Sequence, residues 1–261
     1  MSKSRILRMS AADYHADKSR ISKHGLDLIH RAPMLYEHER HALPREQTPA
    51  MRMGELVHLA TVEPHEFARE VVQLPADLDR RTKAGKELYA DLAAKYRHLV
   101  TAKEHDTILG IAESARAAAG CLLQNAYIEE TVHWERAGVA CKSRIDGRRG
   151  KTVFDLKTTA DATQFKREAF RYRYHVQAAF YLDAIRSCGM EAEEFVFVVV
   201  EKTAPYMATV FWTDPAVIDA GRIEYMADLK RYSNCIESGS WPGLPDQQVL
   251  TLPEWWKGGL Q

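Results

Sequence analysis

The chain has 261 residues, of which 46% are hydrophobic and 28% charged, and its formal net charge is zero. This composition is typical of a folded globular protein and excludes a largely disordered chain. We expect one domain over residues 1–261, with a mainly helical part over 1–128, a sheet-containing core over 129–238 and a tail over 239–261.

Several classes of protein are disfavoured by simple patterns. No run approaches the roughly 18 apolar residues of a membrane span, and the start of the chain lacks a signal-peptide pattern, so we expect a cytoplasmic protein. The four cysteines are scattered and form no C-x-x-C pair, which argues against a zinc or disulfide framework. Residues 142–173 nevertheless contain ten basic and four acidic side chains, a local surplus that favours a polyanionic partner.

Helical patterns dominate the first half of the chain. Ser22 is a suitable N-cap for a helix that Pro33 interrupts. Thr48 followed by proline begins a second helix, over about 50–62, which carries His58. Further helices are predicted over residues 82–95 and 102–119.

The hydrophobic period changes near residue 130. Strand-like runs over residues 131–134, 139–145 and 152–156 are separated by turn-forming residues at 136–138 and 147–150, which predicts a three-stranded meander. Helices are then predicted at 162–170 and 174–187, a strand buried on both faces at 195–200, its partner at 207–212, a helix at about 215–236, and a tail that contains Trp241, Trp255 and Trp256.

One predicted strand carries charged side chains at alternate positions. Asp155 and Lys157 should project to one face while Leu156 points into the core. Asp146 lies across the hairpin turn and can bring a second carboxylate. Ideal pairing places it diagonal to Asp155, so a twist or bulge must close the gap. An isolated D-x-K is usually a surface ion pair, and its interpretation depends on the accompanying motifs.

Phosphodiester cleavage would use these residue types. Hard oxygen ligands hold Mg²⁺ or Mn²⁺, which polarises a phosphate and lowers the pKa of an attacking water. Lys157 could orient that water or stabilise the transition state. Gln177 and Tyr181 lie four apart on one helix face. His58, in an apolar helix, is either a structural histidine or a metal ligand.

In combination these motifs resemble a known family. G-x-x-x-H at 54–58, R-x-D-G at 144–147, D-L-K-T-T at 155–159 and Y-H-x-Q-A-A-x-Y at 174–181 are similar to the RecE (exonuclease VIII) nuclease domain of the PD-(D/E)xK superfamily. That domain is related to the RecB nuclease and phage λ exonuclease. The resemblance implies a restriction-endonuclease-like α+β core, with a central mixed β-sheet flanked by helices and a helical N-terminal region.

The resemblance also implies roles for individual residues. His58, Asp146 and Asp155 would bind the metal with the Leu156 backbone carbonyl, Lys157 would be the catalytic lysine, and Gln177 and Tyr181 would line the active site near DNA. Glu130 looks like an acidic position that contacts a second metal, with Glu129 and Glu135 as alternatives. Ile145 stands where the superfamily's name has proline.

The activity implied is that of a Mg²⁺-dependent exonuclease, with Mn²⁺ as a substitute. It would degrade duplex DNA ends 5′→3′, leave 3′ overhangs and act, as a phage-derived enzyme, with a single-strand annealing protein in recombination. The related enzymes form rings, so a ring-shaped homo-oligomer, a tetramer, is expected.

Three alternatives stay open. A RecB- or Cas4-like repair nuclease would here lack an iron–sulfur cluster, because the cysteines are not clustered. A non-catalytic DNA-end-binding subunit is disfavoured by the intact Asp146, Asp155 and Lys157. A metal-dependent hydrolase of another substrate is disfavoured by the local basic surplus.

Overall fold

A six-stranded mixed β-sheet runs through the centre of the computed structural model, which describes residues 4–42 and 47–252. The strands are β1 (Arg5–Leu7), β2 (Val71–Gln73), β3 (His98–Val100), β4 (Tyr127–Arg136), β5 (Val139–Arg149), β6 (Thr152–Thr159), β7 (Glu194–Glu201) and β8 (Ala208–Trp212). The large sheet has the order β1-β4-β5-β6-β7-β8, and β2 and β3 form a separate parallel pair. Within the large sheet β6 and β7 are parallel, and the other neighbours are antiparallel.

Helices cover both faces of this sheet. They are α1 (Ala11–Ala16), α2 (Lys23–Arg31), α3 (Pro33–His41), α4 (Pro49–Val62), α5 (Pro64–Glu70), α6 (Lys83–Lys95), α7 (Ala102–Ala119), α8 (Phe165–Arg171), α9 (Tyr174–Ser187) and α10 (Pro215–Ser238). The predicted N-caps are formed, since the hydroxyls of Ser22 and Thr48 accept backbone N–H bonds in the first turns of α2 and α4. Each such cap stabilises its helix by about 1 kcal/mol.

Two apolar clusters lie on the two faces of the sheet. On one face, α2, α9 and α10 bury side chains such as Ile29, Phe180 and Tyr225. On the other, α4 and α7 pack Leu56 and Ile111, among others, against the sheet. Full burial of such a side chain contributes about 1.5–3 kcal/mol, so these clusters fix the helices that carry the site relative to β6.

The predicted architecture is confirmed in its main features. The chain has the α+β, restriction-endonuclease-like arrangement of a mixed sheet flanked by helices. Strands β4, β5 and β6 form the predicted meander, β7 is buried on both faces, and β8 pairs with it. No helix in the described part of the chain is both long and apolar enough to cross a membrane.

The N-terminal part is mainly helical, as expected, and also contains three short strands. Its first strand, β1, joins the edge of the large sheet, and β2 and β3 were not predicted. Pro33 ends α2 as expected but occupies the first turn of α3, where its missing N–H costs nothing. Of the predicted tail, residues 239–252 form neither helix nor strand, and Trp255 and Trp256 lie outside the described residues.

Candidate functional site

Strand β6 places a carboxylate and an ammonium group on one face. Asp155 is buried, and its Oδ2 lies 2.6 Å from Nζ of Lys157, which is largely buried as well. Leu156, between them, packs into the core on the opposite face, as the two-residue period of a strand predicts. The D-x-K segment is therefore an enclosed ion pair rather than an exposed one.

Asp146 lies immediately beyond the last residue pair between β5 and β6. That pair is Gly147 with Phe154, so the next residues on the two strands are Asp146 and Asp155. The expected diagonal placement is wrong, because β5 is longer than predicted and the turn shortens to residues 150–151. The two carboxylates are thus brought opposite each other without a bulge.

Beyond this pair the regular backbone pairing between β5 and β6 ends, and a side chain makes the next hydrogen bond between the two strands. Asp146 Oδ2 accepts a hydrogen bond of 2.8 Å from the backbone N–H of Leu156. Gly147 is required beside it, because a Cβ there would lie 1.9 Å from the ring of Phe154. In the R-x-D-G motif, the glycine that follows Asp146 therefore lets β5 pass close to an aromatic ring.

Helix α4 brings His58 to the same place. Its Nε2 lies 3.1 Å from Asp146 Oδ2 and 3.3 Å from Glu129 Oε1. The neighbouring residues Leu56 and Val57 are buried in the apolar cluster that α4 shares with α7. This packing holds the imidazole over the end of β5, where it faces carboxylates rather than the apolar core.

Of the three glutamates considered, the structure places Glu129 in this group. Glu129 has a left-handed backbone (φ +55°) that interrupts its pairing with β5, and its carboxylate contacts His58 and Arg144. Glu130, the residue favoured from the sequence, instead accepts two hydrogen bonds from Arg148, at 3.0 and 3.2 Å. Glu135 is exposed near the end of β4. Non-glycine residues with such a strained backbone conformation are often found at functional sites.

Helix α9 supplies the two polar residues predicted to face the site. Gln177 donates a hydrogen bond from its side-chain amide to Asp155 Oδ1. Tyr181 is hydrogen-bonded to Gln177, and burial raises the pKa of its phenol well above the usual value. Gln177 and Tyr181 line one cavity together with Asp146, so these residues of β5 and α9 converge as the resemblance implies.

Two residues near the site, Tyr174 and Lys23, received no role from the sequence. The ring centroid of Tyr174 lies 4.6 Å from Lys157 Nζ and 5.8 Å from Lys23 Nζ. Tyr174 is the first residue of the Y-H-x-Q-A-A-x-Y motif, and Lys23 begins α2. Nothing in local periodicity indicates that α2 and the start of α9 meet beside β6.

The charged groups of the site shift one another's pKa values. Burial disfavours the charge of His58, but the carboxylates of Asp146 and Glu129 outweigh it and raise the His58 pKa to about 9. Burial and the neighbouring Asp146 raise the pKa of Asp155 to about 6, although Lys157 favours its charged form. Burial also raises the pKa of Glu129 to about 7. The metal-free centre therefore retains protons near neutral pH.

This donor set fits a divalent cation. His58, Glu129 and Asp146 each offer one ligand atom, and the three atoms lie within 4.8 Å of one another. Carboxylate oxygens are the donors preferred by Mg²⁺ and Mn²⁺, and imidazole nitrogen suits many first-row metals. Asp146 lies close enough to Asp155 to raise the Asp155 pKa, so Asp155 can join the set, whereas a role for the Leu156 carbonyl stays a prediction.

We expect Mn²⁺ to bind more tightly as the pH rises from about 6 to about 9, because the cation competes with protons for its ligands. The pKa values of His58, Glu129 and Asp155 are all raised in the metal-free protein, so falling pH protonates these groups progressively. Isothermal titration calorimetry in two buffers of different ionisation enthalpy measures the protons released. An affinity that is constant over this range would contradict the assignment of these ligands.

A cavity of about 410 Å³ adjoins the carboxylates. Asp146, Gln177 and Tyr181 line part of its wall, and the rest comes largely from the N-terminal segment and β5. Two further carboxylates, Asp17 and Glu39, are outnumbered by cationic side chains. These are Lys18, Arg20, Lys23, Arg40, Lys142 and Arg144.

A solved bacterial structure shares this fold. A protein of Eubacterium rectale, described as a candidate exonuclease, is 14% identical over 95% of this chain and 96% of its own, with a TM-score of 0.65. An alkaline exonuclease of Laribacter hongkongensis is 13% identical over 88% of this chain and 95% of its own, with a TM-score of 0.35. A phage-related exonuclease of Haemophilus somnus 129PT is 12% identical over 82% and 95%, with a TM-score of 0.36. At these identities only the fold is compared, and only the first TM-score is high enough to support it.

Sequence gives the family directly. No curated protein matches the chain, but a family model described as a PDDEXK-like domain of unknown function (DUF3799) matches residues 31–247. The matched range includes His58, Asp146, Asp155 and Lys157, which confirms the PD-(D/E)xK resemblance predicted from the motifs. The chain therefore belongs to the DUF3799 family of PDDEXK-like domains.

Proposed function

We propose that the protein is a metal-dependent exonuclease that degrades one strand of duplex DNA 5′→3′ from an end and leaves a 3′ overhang. The observation that carries the proposal is the convergence of His58, Asp146, Asp155 and Lys157 at the end of the β5–β6 pairing, in a PDDEXK-like domain. The polarity, the overhang and a role in recombination by single-strand annealing rest on the motif resemblance to RecE-type nucleases.

The site residues have distinct tasks in this proposal. A Mg²⁺ ion, or Mn²⁺ in its place, bound by His58, Asp146 and Asp155, with Glu129 as a further carboxylate ligand, would polarise the phosphodiester and activate water. Lys157 stabilises the negative charge that develops on the phosphate oxygens, because Asp155 and Asp146 keep its ammonium group protonated against the effect of burial. Gln177 fixes the orientation of the Asp155 carboxylate through its amide.

The charge around the site favours a polyanionic substrate. The cavity beside Asp146 is lined by six lysine or arginine side chains against three carboxylates, so it attracts a phosphate backbone more strongly than a neutral substrate. This surplus supports a nuclease over a metal-dependent hydrolase of uncharged substrates. The intact site likewise favours an enzyme over a non-catalytic subunit that only binds DNA ends.

The partners are proposed on the same resemblance. They are duplex DNA ends, a single-strand annealing protein and further copies of this chain in a ring, taken to be a tetramer. A RecB- or Cas4-like repair nuclease is the second candidate. The four cysteines are widely spaced along the chain, which does not match the clustered cysteine ligands of the iron–sulfur enzymes in that group.

We expect linear duplex DNA to be digested from its 5′ ends in Mg²⁺ or Mn²⁺, while covalently closed circles survive. A duplex labelled separately at each 5′ and 3′ end, with product lengths resolved over time, measures the polarity. A closed circle of the same sequence and the same reaction in EDTA are the matched controls. Equal attack on closed circles would indicate an endonuclease, and release of the 3′ label first would reverse the proposed polarity.

A further inference from the structure

Exposed aromatic side chains lie at the end of α8 and in the short segment that joins it to α9. Phe170 is 54% exposed and Tyr172 is 47% exposed. The guanidinium group of Arg171 lies 5.4 Å from the centroid of the Tyr172 ring. Large rings with half their surface in water contribute little to the core, and a cation beside such a ring suits an anionic, aromatic ligand.

The rings of Tyr174 and Tyr172 form an aromatic row that begins beside Lys157, the catalytic lysine of the proposed function. The ring of Tyr174 lies 4.6 Å from Lys157 Nζ on one side, and its centroid is 5.8 Å from that of Tyr172 on the other. Lys23 also connects α2 to this segment, because its Nζ donates a 2.9 Å hydrogen bond to the Tyr172 carbonyl. The aromatic row therefore runs from the active site to the surface.

The segment is held in a fixed conformation. Arg173, which follows Tyr172, is buried with a left-handed backbone (φ +55°). Its guanidinium group pairs with Asp27 at 3.1 Å, with Glu224 at 3.2 Å and with Asp228. These contacts anchor the segment to α2 and α10, so the exposed rings are presented by a rigid support rather than by a mobile loop.

The electrostatic surroundings favour an anion. A cavity of about 590 Å³ beside the rings is also lined by His24, Arg31 and Arg171. Its two carboxylates are already engaged. Asp27 pairs with Lys23 and Arg173, and Glu224 pairs with Arg173 and accepts from His175 at 3.0 Å.

We propose that Tyr172, together with Phe170 and Arg171, forms a stacking platform for unpaired bases of the DNA strand beside the active site. Bases inside a duplex stack on both neighbours, whereas an unpaired base presents a free face to an aromatic ring. Arg171 contacts the phosphate backbone of the same strand. The inference rests on the proposed nuclease function and adds to it that the strand is held single-stranded next to the site of cleavage.

A fluorescent base tests the platform directly. A single-stranded oligonucleotide containing 2-aminopurine is titrated with the protein in EDTA, where no cleavage occurs, and quenching reports stacking on an aromatic ring. We expect Tyr172→Ala to weaken binding by about 10-fold and to abolish quenching at one position of the probe. Tyr172→Phe, which keeps the ring, should retain both. Trp212→Ala removes an exposed aromatic residue at the end of β8, 58% exposed against 47% for Tyr172, and serves as the matched control.

The outcomes separate the platform from the nuclease activity. The platform would be overturned if Tyr172→Ala kept wild-type affinity and quenching. It would also be overturned if this variant changed the oligomeric mass measured by light scattering without any change in quenching. The second result would make these rings a contact between copies of the chain. If the wild-type protein binds and quenches but cleaves no DNA, the proposed function fails while the platform stands. If the wild-type protein cleaves DNA but never quenches the probe, the platform fails while the proposed function stands.

Discussion

Replacing Lys157 with alanine should slow single-turnover DNA cleavage by about 10²-fold or more, the scale typical of losing one preorganised electrostatic group. Its ammonium group is buried beside Asp155, and the two aspartates favour its charged form. Because it offers no lone pair to a cation while protonated, its loss should act on the chemical step. DNA affinity in EDTA should stay close to that of the wild type.

The structure adds a condition to this experiment. Lys157 helps to keep Asp155 ionised, so the alanine variant raises the Asp155 pKa further and weakens metal binding near neutral pH. Cleavage should therefore be compared at about pH 8.5 and saturating Mn²⁺, where the carboxylate is ionised in both proteins.

Two further variants help to interpret the loss of cleavage activity in Lys157→Ala. Asp155→Asn should lose metal affinity and activity together, because it removes a charged oxygen ligand at constant size. Lys151→Ala should change neither, since Lys151 is a more exposed lysine of the same hairpin and pairs with Glu193. Near-normal cleavage by Lys157→Ala would reduce the D-x-K segment to a structural ion pair and remove the main support for a nuclease.

The parts of the site that follow strand geometry could be predicted from sequence. Alternation along β6 places Asp155 and Lys157 on one face and Leu156 on the other, whatever surrounds the strand. The helical spacing of Gln177 and Tyr181 likewise directs both side chains to one place. These are local consequences of chain geometry, and the structure reproduces them.

The parts of the site that depend on strand register and backbone strain could not be predicted from sequence. One or two residues of turn length decide whether Asp146 lies opposite or diagonal to Asp155, and the observed turn is shorter than predicted. The choice of Glu129 over Glu130 depends on a left-handed residue within a strand. Alternation alone would put these two side chains on opposite faces without saying which face holds the site.

The local basic surplus over residues 142–173 shows a different limit. Sequence counts charges along the chain, whereas burial and pairing act across it. Arg144 and Arg148 pair with Glu129 and Glu130 from the neighbouring strand, and Arg173 pairs with carboxylates of α2 and α10. The cationic wall of the cavity includes Lys142 and Arg144 from this stretch, but most of its members come from the N-terminal segment, such as Lys18 and Arg40.

His58 is where a structural and a functional interpretation differ most. Its imidazole pairs with Asp146 and Glu129 at 3.1 and 3.3 Å, and these carboxylates raise its pKa to about 9 against the effect of burial. It therefore carries a charge near neutral pH and offsets the negative charge of the site. His58→Ala removes this compensation even without metal, so a modest fall in melting temperature in EDTA is compatible with both interpretations.

The informative quantity is the additional stability that metal provides. A cation that binds only the folded state stabilises it by about 2.7 kcal/mol at 100 times its Kd. If His58 is a ligand, His58→Ala should lose most of the rise in melting temperature caused by Mn²⁺ and should abolish cleavage at low Mn²⁺, with partial recovery at high Mn²⁺. A structural histidine would lower the melting temperature equally with and without metal. His65→Ala, an exposed histidine on α5, should behave as the wild type in every arm, and a full Mn²⁺ response in His58→Ala would remove this residue from the metal centre.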